Sequence, residues 1–175
     1  MGRKKKVVVI NTEKFVGMGR PEKLAILQDF SELFNYELSC IPYDEVEVED
    51  TKKAESIAAD YYRRLGFQVY HSRTNNGYRC IGVEFYWKEF ASRLTDADRE
   101  IISTLKKILT HSEFEELANI VKDKSGTPDL LLIKDEKISF VEIKFNYETV
   151  KFSTVEFYIK YSAKWPISIL RIIKR

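Results

Sequence analysis

Three charged side chains interrupt an otherwise apolar stretch, "GTPDLLLIKDEKISFVEIKF", residues 126–145. Asp129 opens the first apolar run, and Glu142 and Lys144 stand inside the second. The polar segment between them, "KDEK" (134–137), reads as a turn, so the two runs read as a hairpin. Pairing Ile133 with Ile138 across a four-residue loop, or Lys134 with Lys137 across a two-residue one, gives the same register. In either case Asp129 lies directly opposite Glu142, with Cβ atoms about 4.5–5.5 Å apart. Lys144, two residues further on, points to the same face. Facing carboxylates repel, and burial sharpens the repulsion. A lysine alone could offset it, as a structural ion cluster; a divalent cation would offset it better. Hard cations such as Mg²⁺ take carboxylate oxygens and keep several waters. A metal-bound water becomes a nucleophile, and the metal stabilises the charge that develops on a phosphoryl centre. Lys144 would then hold the attacking water or the developing negative charge.

These residues need strands and helices to hold them. "KVVVIN" (6–11) reads as a strand, and 21–34 as a helix with Pro21 at its first position. "YELSCI" (36–41) reads as a strand ended by Pro42. Residues 51–65 read as a helix capped by Thr51 and stopped by Gly66. "FQVYHSR" and "YRCIGVEFYW" flank "TNNG", which predicts a hairpin, although the second arm also fits a helical period. Thr95 with Asp98, and Ser112 with Glu115, resemble capping boxes and predict helices near 96–109 and 113–122. After the loop "KDKSGTPD" and the charged hairpin, 153–164 reads as a helix and "ISILRII" (167–173) as a last strand. The expected fold class is α/β, a mixed central sheet flanked by helices. Residues 1–50 form an N-terminal α/β extension and 51–175 the main domain, with a helical insert at 83–122.

The rest of the chain narrows the classes. Its 175 residues are 44% apolar, enough for one well-packed domain and unlike a disordered chain. No run approaches the roughly 20 apolar residues of a membrane span, and the basic start "MGRKKKVVVI" is too short in its apolar part for a signal peptide. A cytoplasmic location is expected, with Cys40 and Cys80 as buried thiols rather than zinc or disulfide partners. Net charge is only +2, but residues 41–60 carry seven acids against two lysines, whereas 151–175 carry six bases against Glu156 alone. That basic segment either forms a solvated face or follows a phosphate backbone. His71 and the aromatics Tyr61, Tyr62, Phe85, Tyr86 and Trp87 read first as rim and core residues, the rings secondarily as platforms for unpaired bases.

"TPDLLLI…FVEIK" resembles the core of the PD-(D/E)XK nucleases, most nearly the VRR-NUC type. There a Gly-x-Pro-Asp strand precedes a Glu-x-Lys strand, and a Leu-Ser-x-x-Gln-x-x-aromatic helix follows. Here the helix reads "FSTVEFYI", with Phe152 for the Leu, Ser153 retained, Glu156 in the Gln position and Ile159 in the aromatic position. "AESIAADYYRRLGFQVYHSR" is similar to the first helix and strand of that fold and of archaeal Holliday-junction resolvases. The resemblance implies a restriction-endonuclease-like core and a nuclease acting on DNA with Mg²⁺ or Mn²⁺. Its expected catalytic residues are Asp129, Glu142, Lys144 and Glu55. The expected ligands are Asp129, Glu142 and the backbone carbonyl of Ile143, with Glu55, borne on the first helix, as a third acid. Lys151, Ser153, Glu156, Lys160 and Lys164, just past the site, are the expected DNA contacts. Branched or end-containing DNA is the expected substrate, a homodimer being compatible. Two rivals stay open: a Holliday-junction resolvase or restriction-type endonuclease, and a catalytically idle module that binds nucleic acid or protein.

Overall fold

The computed structural model describes residues 6–10, 39–49, 53–72, 77–122, 127–146, 148, 150 and 152–175. Their strands form one six-stranded mixed sheet in the order β1-β2-β6-β5-β4-β3. The strands are β1 (Lys6–Ile10), β2 (Ser39–Val48), β3 (Gln68–His71), β4 (Leu130–Lys134), β5 (Lys137–Phe145) and β6 (Ile167–Lys174). The helices are α1 (Ala54–Arg64), α2 (Asp96–Ile108), α3 (His111–Lys122) and α4 (Phe152–Tyr161). β4 and β5 pair antiparallel, and β5, α4 and β6 make a crossover that returns β6 parallel to β5. β2 lies parallel to β6 and carries β1 antiparallel on its other side, so the N-terminal strands extend the same sheet.

The alternation of side chains along each strand divides the core in two. Leu131, Ile133, Ile138, Phe140 and Ile167 face one layer, made of α2, α3, Phe157 of α4 and the 3₁₀ helix Tyr78–Glu84. Leu130, Leu132, Val141, Ile143, Leu170 and Ile172 face the other, covered by Ile57, Ala58, Ala59 and Tyr62 of α1. Both faces of β4 and β5 are therefore buried, which explains their near-continuous apolar runs.

Local chemistry sets most boundaries. α1 ends where Gly66 takes φ +84°, a left-handed conformation that costs glycine little, and the Gly66 and Phe67 N–H groups close the last turn onto Arg63 and Tyr62. The β4–β5 turn is the tight form: Lys134 pairs with Lys137, and Asp135 and Glu136 sit at φ 51° and 59°. Both positive values match the two-residue turn whose twist suits a hairpin. α2 opens with the expected reciprocal Thr95–Asp98 box.

Four boundaries differ from the sequence reading. The second box is formed by Thr110 and Glu113 rather than Ser112 and Glu115, so α3 starts earlier. β2 runs through Pro42 to Val48, because Pro42 lies where β2 is paired with β1 and the β6 pairing begins only at Tyr43. Among the described residues between 68 and 87 no antiparallel hairpin ladder is present. β3 pairs with β4 instead, and Tyr78–Glu84 is 3₁₀ helix, buried at Tyr78, Cys80, Ile81, Gly82 and Val83. A Cβ at Gly82 would meet the Trp87 ring at 2.7 Å, so that ring packs directly on the backbone. α1 begins after Lys53, which makes no side-chain cap, while Thr51, the 21–34 helix and most of "TNNG" lie outside the described residues.

Candidate active site

The β4–β5 register places Asp129 one residue before the Leu130–Val141 pair and hence opposite Glu142, on the face shared by Phe140 and Lys144. The ladder does not continue there as backbone. The Ile143 N–H donates to Asp129 Oδ2 at 2.8 Å, so a carboxylate oxygen takes a hydrogen bond that a strand carbonyl would otherwise accept. Pro128, preceding it, uses its carbonyl to accept from the Tyr78 hydroxyl, and the Ser72 N–H donates to the Asp129 carbonyl at 2.9 Å. Asp129 is thus fixed through its main chain by the residue after β3 and through its side chain by β5.

Glu142 and Lys144 are 7% and 4% exposed, which sets them apart from the many surface charges of the chain. Lys144 Nζ donates to Glu142 Oε1 at 2.5 Å. The Thr154 side chain of α4, also buried, hydrogen-bonds Glu142. Burial, and next the charge of Asp129, push the Glu142 carboxyl above the usual glutamate range; Lys144 and Thr154 pull the other way without reversing it. The Tyr78 hydroxyl is pushed well above its ordinary value, first by burial, and Asp129 and Glu142 add to it. Tyr78 packs edge-on against Phe140, so an aromatic of the helical layer closes the site from the side of the hairpin.

Glu55 lies in the first turn of α1, whose buried residues Ile57, Ala58, Ala59 and Tyr62 pack with Val141 and Ile143 on the other face of the sheet. Among the described residues no three His, Cys, Asp or Glu side chains assemble into a metal-holding group. His71 pairs with Leu130 on that opposite face. Of the expected DNA contacts, Ser153 and Lys160 lie on α4, Lys160 exposed. Lys164 is ion-paired with Glu116 and sits over the Trp165 ring, so its charge is matched locally. Lys151 and the side chain of Glu156 are outside the described residues. Tyr62 is core, its hydroxyl pushed up to about 12 chiefly by burial. Tyr86 is exposed, with Lys122 over its ring.

The donor set suits a hard cation. Two carboxylates on adjacent strands and the neighbouring main-chain carbonyl of Ile143 supply oxygen and no sulfur or imidazole. A bound cation would act against both causes of the upward push on Glu142, its burial and the charge of Asp129.

No family model and no curated protein matches the sequence. Eleven chains among solved structures do match. One is the crystal structure of paFAN1 bound to DNA with a 2-nt 5′ flap and a gap, at 11% identity and a TM-score of 0.43. The overlap covers 75% of this chain and 38% of that one. A likeness so distant transfers neither chemistry nor substrate. No helix among the described residues is long and apolar enough to cross a membrane.

Proposed function

We propose that the protein is a nuclease of the PD-(D/E)XK type that hydrolyses DNA phosphodiester bonds with Mg²⁺ or Mn²⁺. One observation carries this reading: Asp129, Glu142 and Lys144 converge on one face at the end of a hairpin, Asp129 half-buried and the other two buried, where an apolar strand would be cheaper without charges. Asp129, Glu142 and the Ile143 carbonyl would hold the cation. When bound, it would acidify a water and neutralise charge on the phosphoryl oxygens. The protein's own contribution is order. The Ile143 N–H fixes which way the Asp129 carboxylate faces, and Thr154 does the same for Glu142. Lys144, held at Glu142 by its ion pair, is the chain's own cation at this point and would face charge that develops on the phosphate. In hydrolysis the water oxygen forms a bond to phosphorus as the bridging P–O bond breaks, and the proton that the water gives up balances the one that the leaving alkoxide takes. The Lys144 ammonium would act where charge develops and so lower the barrier rather than merely bind substrate.

The rival reading, a catalytically idle charge cluster within a binding module, draws on the direct Glu142–Lys144 pair and on Glu55 being borne on α1 and not on the hairpin. A metal titration against linear, nicked, flapped and four-way DNA separates the two. The nuclease cuts at least one substrate only with Mg²⁺ or Mn²⁺, and loses this in Asp129→Asn. An idle module binds DNA regardless of metal and cuts none of them.

A further inference from the structure

Arg171 stands where the logic of the site continues onto the next strand. In the β5–β6 register it is the direct partner of Lys144, and in the β2–β6 register of Glu45. Direct partners share a face, so Arg171 lies on the same side of the sheet as Asp129, Glu142 and Lys144, on a strand about 4.8 Å away. Lys144 on one side repels it, while Glu45 on the other side is of opposite charge. The arginine is also incompletely satisfied. Its Nε is buried and has no hydrogen-bond partner among the described residues. One terminal nitrogen donates to the Glu148 carbonyl at a long 3.3 Å, and the guanidinium lies over the Tyr43 ring at 5.4 Å. That ring is on β2, across β6 from β5, in the row of Ile169 and Glu142, so the side chain leans back along β6 toward that row. A planar fork with an unused inner donor, held on an aromatic beside a second cation, is suited to an oxyanion with several acceptor oxygens.

We infer that Arg171, beside Lys144, is the binding residue for a backbone phosphate of the DNA substrate, engaging it through Nε and a terminal nitrogen. The inference rests on the nuclease reading and adds to it a residue on a strand that none of the expected contacts occupies. It also explains why an arginine interrupts the inward-facing series Ile167, Ile169, Arg171, Ile173.

The test uses the full chain with Arg171→Met, which keeps an apolar stem on Tyr43, and Arg171→Lys, which keeps the charge without the fork. A labelled 5′-flap oligonucleotide is titrated by anisotropy in Ca²⁺ across a salt series, and kcat and KM are measured in Mg²⁺ or Mn²⁺. Arg171→Met is expected to weaken DNA binding and raise KM by about tenfold or more, and to flatten the log–log salt dependence by about one phosphate contact. Arg171→Lys should recover the salt slope and part of the affinity. Metal-free melting of Arg171→Met should stay level, since the repulsion by Lys144 and the attraction of Glu45 are removed together. If both variants cut and bind as wild type does, or Arg171→Met melts lower with an unchanged salt slope, Arg171 is a structural residue and the inference falls while the nuclease reading stands. A wild-type protein that neither binds nor cuts any of the DNAs overturns both.

Discussion

Asp129→Asn and Glu142→Gln remove one charge each, yet the structure expects opposite effects on metal-free stability. At an effective dielectric constant near 20, two unit charges about 5 Å apart repel by roughly 3 kcal/mol, and by under about 1 kcal/mol in water. Asp129 is half-buried, so about 1–2 kcal/mol is a fair value for what its charge costs. Asparagine retains a carbonyl oxygen for the Ile143 N–H, and the hydrogen bond at 2.8 Å survives. Asp129→Asn should therefore raise the melting temperature in chelator by about 2–6 °C for a domain of this size. Glu142→Gln also relieves the repulsion, but it strips the partner from Lys144, whose side chain is 5% exposed. Leaving one member of a buried pair uncompensated costs about 3–5 kcal/mol. The net result is a loss of about 1–4 kcal/mol, or several degrees, which Glu142→Gln combined with Lys144→Met should largely restore. The assay is thermal melting by circular dichroism in chelator, repeated with Mg²⁺ or Mn²⁺. At a hundred times the dissociation constant the metal should stabilise wild type by about 2.7 kcal/mol, and each variant less. A clear fall in melting temperature for metal-free Asp129→Asn would mean that its charge stabilises the fold, and the repulsion argument would be wrong.

Three further outcomes follow from the same geometry. Lys144→Ala should lower kcat by a factor of about 100 or more with DNA affinity held within a few-fold, because the ammonium acts where charge develops; normal turnover at saturation with lost binding would make it a simple anchor. Glu55→Gln should lower cleavage less than Asp129→Asn does, since Glu55 is borne on α1 and not on the hairpin; an equally deep loss would make it a primary ligand. The folded-state pKa of Glu142 is raised, so its contribution is fully present below the ordinary glutamate value and is lost as pH rises through the folded value. Metal-free stability should thus decline over that window, less steeply in Asp129→Asn, which removes the second-largest cause of the shift; an equal slope in both, measured by urea unfolding against pH, would remove Asp129 as a cause.

The hairpin was legible in the sequence because its register follows from parity alone. Two apolar runs and a short even turn place Asp129 opposite Glu142 whichever turn length is chosen, and the tight turn at Asp135–Glu136 kept that register. Gly66 and the Thr95–Asp98 box were legible for a similar reason, since each is decided within four residues. The failures are those in which a distant partner decides. "FQVYHSR" and "YRCIGVEFYW" have the pattern of a hairpin, but β4 offers β3 a buried strand to pair with, and Tyr78, Cys80 and Ile81 bury more by packing as a 3₁₀ helix against α2 and α3. Pro42 likewise stops a strand only where its missing N–H is needed by a neighbour.

The site divides along the same line. The positions of residues within the hairpin follow from its register; those of residues that contact them from elsewhere do not. Tyr78 looks like any core aromatic until its hydroxyl meets the Pro128 carbonyl, and Thr154 looks like any helix threonine until it meets Glu142. Glu55 was placed with the acids by resemblance, and only the packing of α1 against Val141 and Ile143 shows that its helix covers the other face. Arg171 did leave a signal. A charge at an inward position of an apolar strand is as anomalous in "ISILRII" as Glu142 and Lys144 are in "ISFVEIKF". What the sequence lacks is the order of strands: without knowing that β6 lies beside β5 in parallel, nothing sets Arg171 against Lys144 rather than far from it. A charge inside a strand can be recognised locally as costly, but the partner that makes the cost worthwhile is fixed by the topology of the sheet.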